Sequence, residues 1–210
     1  MKKRGPFITF EGIEGSGKSS HIRLLSEFLS EMAYDVVITF EPGASSIGGI
    51  IRSLLLEGNL VDPWVEALLF LTERRQHIKE VLLPSLGAGK IVLCDRFIDS
   101  TIAYQGYGRG LPIALLKEIN GKIAEDLHPD LTILLDCTPE EGLRRTKGTD
   151  RFQKESLEFH QRVREGYLQL AKEEPHRIKV VPSDRDKPLV QAEIRQIVLD
   201  FLSRWQWKPS

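Results

Sequence analysis

"FITFEGIEGSGKSSHIRLL", residues 7–25, decides how this chain is read. Its first four residues, Phe7-Ile8-Thr9-Phe10, read as a short buried strand. From Ser19 onward apolar residues recur at Ile22, Leu25, Leu29 and Met32, a helical period. Between them lies a G-x-x-x-x-G-K-S loop, Gly12 to Ser19. Glycines at 12, 15 and 17 let backbone N–H groups turn around an oxyanion, where side chains would block approach or resist positive φ. Lys18 can reach terminal phosphates, and the Ser19 hydroxyl suits Mg²⁺ at a helix N-terminus. Gly12, Gly15, Ser16, Gly17, Lys18, Ser19 and Ser20 are therefore the expected nucleoside triphosphate cradle. Glu14 is the odd residue, an acid inside a loop built for anions.

The bulk composition narrows the partners. A chain of 210 residues suits one large α/β domain, 1–210, and is short for two. A net charge of -1 supplies no bulk attraction for nucleic acid or an anionic membrane. Cys94 and Cys137 fall in apolar runs and read as small core hydrophobes. The basic start "MKKRGPF" leads into only four apolar residues before Glu11, too few for a signal-peptide core. No run approaches the roughly 18 apolar residues of a membrane span. A cytoplasmic protein is expected.

Apolar runs at 7–10, 35–40, 90–95, 131–136 and 177–181 read as strands. Helical periods fill 18–33, 47–57, 63–86, 111–126, 139–147, 154–174 and 186–205. Strands apolar on both faces, alternating with helices, predict a parallel sheet covered on two sides. Asp62-Pro63 and Thr138-Pro139-Glu140-Glu141 carry helix-start chemistry. With the phosphate loop, this is an α/β, three-layer fold of the P-loop NTPase type, with a five-stranded parallel sheet. Ligands of such sheets bind at the carboxyl ends of the strands, here loops 11–19, 41–46, 95–109, 137–151 and 182–186.

A phosphate loop alone does not separate a kinase from a switch. A guanine-nucleotide switch needs N-K-x-D, and the asparagines here, Asn59 and Asn120, precede Leu and Gly. A second site speaks for transfer. Asp95 ends a strand where a carboxylate can hold Mg²⁺, and Arg96 beside it is a planar fork for phosphate. The following "FIDSTIAYQGYGRG" sets Ser100, Thr101, Tyr104 and Gln105 on adjacent turns, a polar face suited to a sugar and base. Phe70 and Arg74 lie four apart and share a helix face. Taken alone, Phe70 would read as core and Arg74 as a solvated charge.

Here the sequence resembles the thymidylate kinase family, which phosphorylates dTMP to dTDP with ATP. Matching segments are "FEGIEGSGKSS", "FEPGASSIGGIIRSLLL", "LLFLTERRQHI", "VLCDRFIDSTIAYQGYGRG", "HPDLTILLDCTPEEGLRR", "DRF" and "KPL". The resemblance implies that Phe70 stacks on thymine and Arg74 reads a base oxygen. Arg52 and Arg96 would hold the dTMP phosphate, and Thr101 and Gln105 the base. Tyr104 would sit where a 2′-OH clashes, and Glu41-Pro42 near the sugar. It also implies a homodimer and ATP as donor.

The P-loop has one cation, Lys18, so a lid at about 143–153 is expected to bring others: Arg144, Arg145, Lys147 and Arg151 around Gly148. Arg144, Arg145 and Arg151, with Glu14, Lys18 and Arg96, are the expected catalytic groups. Three departures from the family pattern stand out: Phe40 replaces the arginine of T-R-E-P-G-G, Gln153 replaces a glutamate, and the lid is short. For Glu14 two roles stay open, a ligand to Mg²⁺ or its waters beside Ser19 and Asp95, or an acceptor for the dTMP 3′-OH. The rival readings are another nucleotide kinase of this class and a non-catalytic ATP-binding switch.

Overall fold

In a computed structural model, residues 4–58, 62–125, 127–146 and 150–205 are described. Five strands form one parallel sheet in the order β2-β3-β1-β4-β5. They are β1 Phe7–Glu11, β2 Val36–Phe40, β3 Ile91–Asp95, β4 Leu131–Asp136 and β5 Ile178–Pro182. Each lies within two residues of its predicted run. The central strand β1 shows why: Phe7 packs with Ile78, Leu82 and Phe97 on one face, and Ile8 with Leu25, Leu29 and Ile133 on the other. Alternate side chains meet two different apolar layers, so the run is hydrophobic throughout. Cys94 and Cys137 are buried free thiols, as expected.

Helices α1 Lys18–Glu31 and α9 Lys187–Arg204 cover one face. The others are α2 Gly48–Glu57, α3 Pro63–His77, α4 Leu83–Gly87, α5 Ile98–Thr101, α6 Ile113–Ala124, α7 Pro139–Arg145 and α8 Leu157–Glu173. Asp62 caps α3 by accepting from the N–H groups of Trp64 and Val65, and Thr138 caps α7 through Glu141 N–H. The predicted helix 63–86 contains a π-helical turn, Ile78–Leu82, joining α3 to α4. Pro84 has no N–H to give the Glu80 carbonyl, and the widened turn lets Leu83 N–H reach Ile78 instead.

The segment predicted as loop 95–109 is mostly helical. It holds α5 and a second π-helical stretch, Ile102–Gly108, in which Arg109 N–H bonds the Tyr104 carbonyl. Two glycines in "AYQGYG" weaken the helical signal in the sequence, and packing against α8 overrides them. Lys147 and Gly148, in the middle of the predicted lid, lie outside the described residues, as do residues 206–210 of the tail.

Candidate active site

The chemistry gathers at the carboxyl ends of the strands. The P-loop leaves β1 and crosses the backbone of α7 so closely that a Cβ on Gly15 would sit 1.9 Å from the Gly142 carbonyl oxygen. Gly15 also has φ +70, and both facts demand glycine. Lys18 folds back along the loop, donating to the Gly12 carbonyl (3.0 Å), the Ile13 carbonyl (2.9 Å) and Ser16 Oγ (3.3 Å). Burial, with the charge of Arg96, lowers its ammonium to about 8 against the opposing pull of nearby carboxylates.

Arg96 is the hub. It stands at the end of β3 with φ 71, a conformation that costs a non-glycine residue on the order of 1–3 kcal/mol. Its Nη1 donates to the Gly12 carbonyl (3.0 Å) and Tyr167 Oη (3.2 Å), and its Nη2 to Glu14 (2.9 Å) and Tyr104 Oη (3.1 Å). The strained backbone thus aims the fork across the P-loop.

Glu14 is not an electrostatic error. Its carboxylate accepts from Arg96 and, at 2.7 Å, from the Tyr104 hydroxyl, with His160 Nδ1 3.4 Å from Oε2. Burial alone would raise this carboxyl, but the charge of Arg96, with His160 and the Tyr104 hydroxyl beside it, holds it at about 2. Three residues earlier Glu11, unused by the sequence reading, is fully buried. It accepts from Phe97 N–H (2.7 Å), Ser100 Oγ (2.6 Å) and Tyr167 Oη (2.9 Å). Burial, and then the charge of Asp99, push Glu11 up to about 7.

Of the three residues expected at Mg²⁺, two come together: Ser19 Oγ donates to Asp95 Oδ2 at 2.7 Å. A hydroxyl and a carboxylate at the mouth of a phosphate loop are hard oxygen donors of the kind Mg²⁺ takes. Glu14 lines the same cleft, engaged by Arg96 and Tyr104.

Two clefts open from this centre. The larger, about 660 Å³, is of nucleotide size. Phe70, Phe152 and Tyr104 give it an aromatic wall, with centroids 6.0 Å apart for Phe70–Phe152 and 5.8 Å for Tyr104–Phe152. Glu41, Pro42, Ser100, Thr101 and Gln105 also line it. Arg52 enters from α2, anchored by the Pro42 carbonyl at 2.7 Å. Arg74 stands one layer behind, its side chain 1% exposed. It donates to Glu41 (2.8 Å), Thr101 Oγ1 (2.7 Å), Asn120 Oδ1 (2.6 Å) and the Phe97 carbonyl (2.9 Å). Arg74 thus braces Glu41 and Thr101 in this structure; the resemblance implied that it reads a base oxygen.

The smaller cleft runs along the other side of the P-loop, lined by Gly15, Ser16, Gly17 and Ser20. Its cations are Arg145, Arg185 and Lys187. Sequence reasoning missed Arg185, and touched Lys187 only through "KPL". The three arginines expected of the lid take different places. Arg145 reaches this cleft, held by Glu141 (2.7 Å) and the Ser183 carbonyl (2.8 Å). Arg144 is 73% exposed and pairs with Glu141 alongside it. Arg151 lies beside the larger cleft, bonded to the Leu55 carbonyl (3.0 Å) and Glu66 (2.6 Å). The arginines leave α7 and the 150–153 turn in different directions, which a linear spacing cannot express.

Residues 10–194 match the family model "Thymidylate kinase". A thymidylate kinase of Pelotomaculum thermopropionicum is 46% identical over 206 residues, 95% of each chain. One from Symbiobacterium thermophilum is 46% identical over 202 residues, 94% of each. The crystal structure of thymidylate kinase from Ehrlichia chaffeensis superposes with a TM-score of 0.79 at 39% identity, covering 93% of this chain and 99% of that one. The chain belongs to the thymidylate kinase family.

Proposed function

We propose that this protein transfers the γ-phosphoryl group of ATP to dTMP, giving dTDP, within a single kinase domain spanning residues 1–210. The observation that carries the reading is that the two clefts share Lys18 and Ser19. An ATP whose phosphates lie on the P-loop then faces an acceptor phosphate across Arg96. Positioning and charge neutralisation do most of the work of such a transfer. A non-catalytic switch has no use for a second cleft of 660 Å³.

In this scheme Phe70 stacks on the thymine, and Thr101 and Gln105 meet its polar edge. Arg52 and Arg96 hold the dTMP phosphate, with Tyr104 and Glu41-Pro42 against the sugar. Arg96 and Lys18 neutralise charge as it shifts from donor to acceptor. Glu14 fixes the angle of the Arg96 fork and leaves acceptor capacity toward the deoxyribose 3′-OH. On the donor side Arg145, Arg185 and Lys187 flank the nucleotide. Ser19 and Asp95 would hold Mg²⁺, which neutralises charge on the phosphate oxygens when bound.

Ile50, Leu54, Val65 and Leu68 are exposed apolar residues on α2 and α3, and we take this face as the surface of a homodimer. No described helix is long and apolar enough to cross a membrane; a cytoplasmic location, with no nucleic-acid partner, completes the proposal. The deciding experiment is a turnover panel of dTMP, dUMP, dCMP, dGMP and AMP with ATP and Mg²⁺. Preferred use of dTMP is expected, and no turnover of dTMP would overturn the reading. Calorimetry with dTMP alone addresses the switch alternative, which predicts no affinity for any monophosphate.

A further inference from the structure

Glu66, on α3, is not a residue the sequence reading singled out, yet it is the most heavily engaged carboxylate beside the acceptor cleft. Its side chain is 1% exposed. One oxygen accepts from Gln105 Nε2 at 2.8 Å. The Arg109 guanidinium approaches both oxygens, with Nη2 3.1 Å from Oε2, and Arg151 Nη2 lies 2.6 Å from Oε2. A carboxylate between two guanidinium groups offers acceptors only. The amide of Gln105 therefore has to turn its NH₂ toward Glu66, and its carbonyl faces away. Among the described residues no group donates to that carbonyl oxygen, and Gln105 lines the acceptor cleft.

We propose that Glu66 is a specificity-determining positioning residue: by fixing the amide of Gln105 with its carbonyl toward the cleft, it selects bases whose ring nitrogen carries a hydrogen. This rests on the reading of the cleft as the dTMP site. Thymine and uracil present an N3–H donor, which that carbonyl accepts. Cytosine presents an N3 lone pair, so two acceptors would face each other in a buried site, an arrangement with a large discrimination penalty. The device does not separate thymine from uracil, which share the same polar edge. Arg109 and Arg151 hold the Glu66 carboxylate in register, and neither needs to touch the nucleotide.

The test is the ratio of kcat/KM values for dTMP, dUMP and dCMP in wild type and Glu66→Gln. An amide at position 66 can accept or donate, so Gln105 becomes free to flip and offer its NH₂ to cytosine N3. The dCMP/dTMP ratio is expected to rise by about tenfold or more, while the dUMP/dTMP ratio stays within about twofold. A role confined to stability would lower all three substrates together. An unchanged dCMP/dTMP ratio overturns the inference. Failure of wild type to use dTMP would instead remove the site assignment beneath it. Should Glu66→Gln fold poorly because Arg151 and Arg109 each lose a carboxylate, leaving Arg109 only Glu155, Glu66→Gln/Arg109→Met restores the charge balance, and the same ratio decides.

Discussion

The acceptor cleft and the donor cleft share two residues and are built on opposite plans. Around the acceptor cleft Glu41, Thr101, Tyr104 and Gln105 are buried, and most of the polar groups are already held by another protein group. Arg96 bonds Gly12, Glu14, Tyr104 and Tyr167, and Arg74 braces Glu41 and Thr101. Around the donor cleft the backbone does the fixed work, and the cations sit at the rim. Arg185, for instance, is exposed and pairs with Glu193 on α9. The difference teaches where selectivity resides. A rigid, desolvated wall can reject a wrong base or sugar, whereas a triphosphate needs a glycine-rich cradle and surrounding positive charge.

The strongest way to break this contrast is Arg96→Ala. It removes the cation proposed to face the transferring phosphoryl group and leaves the half-buried Glu14 carboxylate without its main partner. We expect kcat/KM for dTMP to fall by about 10³-fold or more. ATP affinity, measured by calorimetry, should survive, because the P-loop backbone and Lys18 remain. Activity within a few-fold of wild type would mean that Arg96 is a scaffold and not a phosphate ligand.

Glu14→Gln asks whether the charge that pins Arg96 matters. The fold should persist, since Gln can still accept from Tyr104 and Arg96. Turnover should drop by about 10–100-fold as the fork loses its charge-assisted anchor. Unchanged kinetics would remove Glu14 from both proposed roles.

On the donor side effects should be smaller and fall on KM. For Arg145→Ala we expect the KM for ATP to rise about tenfold, with the KM for dTMP little changed. Arg144→Ala should shift it less, because Arg144 is a solvent-exposed partner of Glu141, a type of pair that contributes about 0–1 kcal/mol. The reverse ranking would show that Arg144, not Arg145, meets the nucleotide.

These two sides were also legible to different degrees in the sequence. The P-loop and the five strands could be read because glycine spacing and doubly buried apolar runs are local signals. Phe70, Tyr104 and Gln105 could be read through the "LLFLTERR" and "DRF…STIAYQG" blocks. Glu11, Glu66, Tyr167 and His160 could not: each matters through a neighbour far along the chain, as Glu11 does through Tyr167, 156 positions away. Nothing in "TPEEGLRR" says that Arg145 turns to Ser183 while Arg144 turns to solvent. Arg185 sits in an ordinary polar turn before α9, and only the approach of β5 to the P-loop makes it a donor-cleft residue.

The smallest effect distinguishes two glutamates of one buried centre. Glu14, held at about 2, is charged in the native state at every pH where the unfolded chain is charged. Its contribution to stability is therefore present above about 4.5 and is lost as pH falls toward 2. Glu11, raised to about 7, behaves in the opposite sense. Between about 4.5 and 7 the native state keeps a proton that the unfolded chain has released, so this group makes stability decline as pH rises through that window. Glu11→Gln retains an acceptor for Phe97 N–H and removes the titration. Denaturant unfolding at pH 5 and pH 8 should then show a smaller loss of stability on going to the higher pH than wild type shows, by about 1–3 kcal/mol. Equal losses in both proteins would mean that Glu11 is ionised in the native state across that range, held by Ser100, Tyr167 and Arg96 as firmly as Glu14 is held by its own partners.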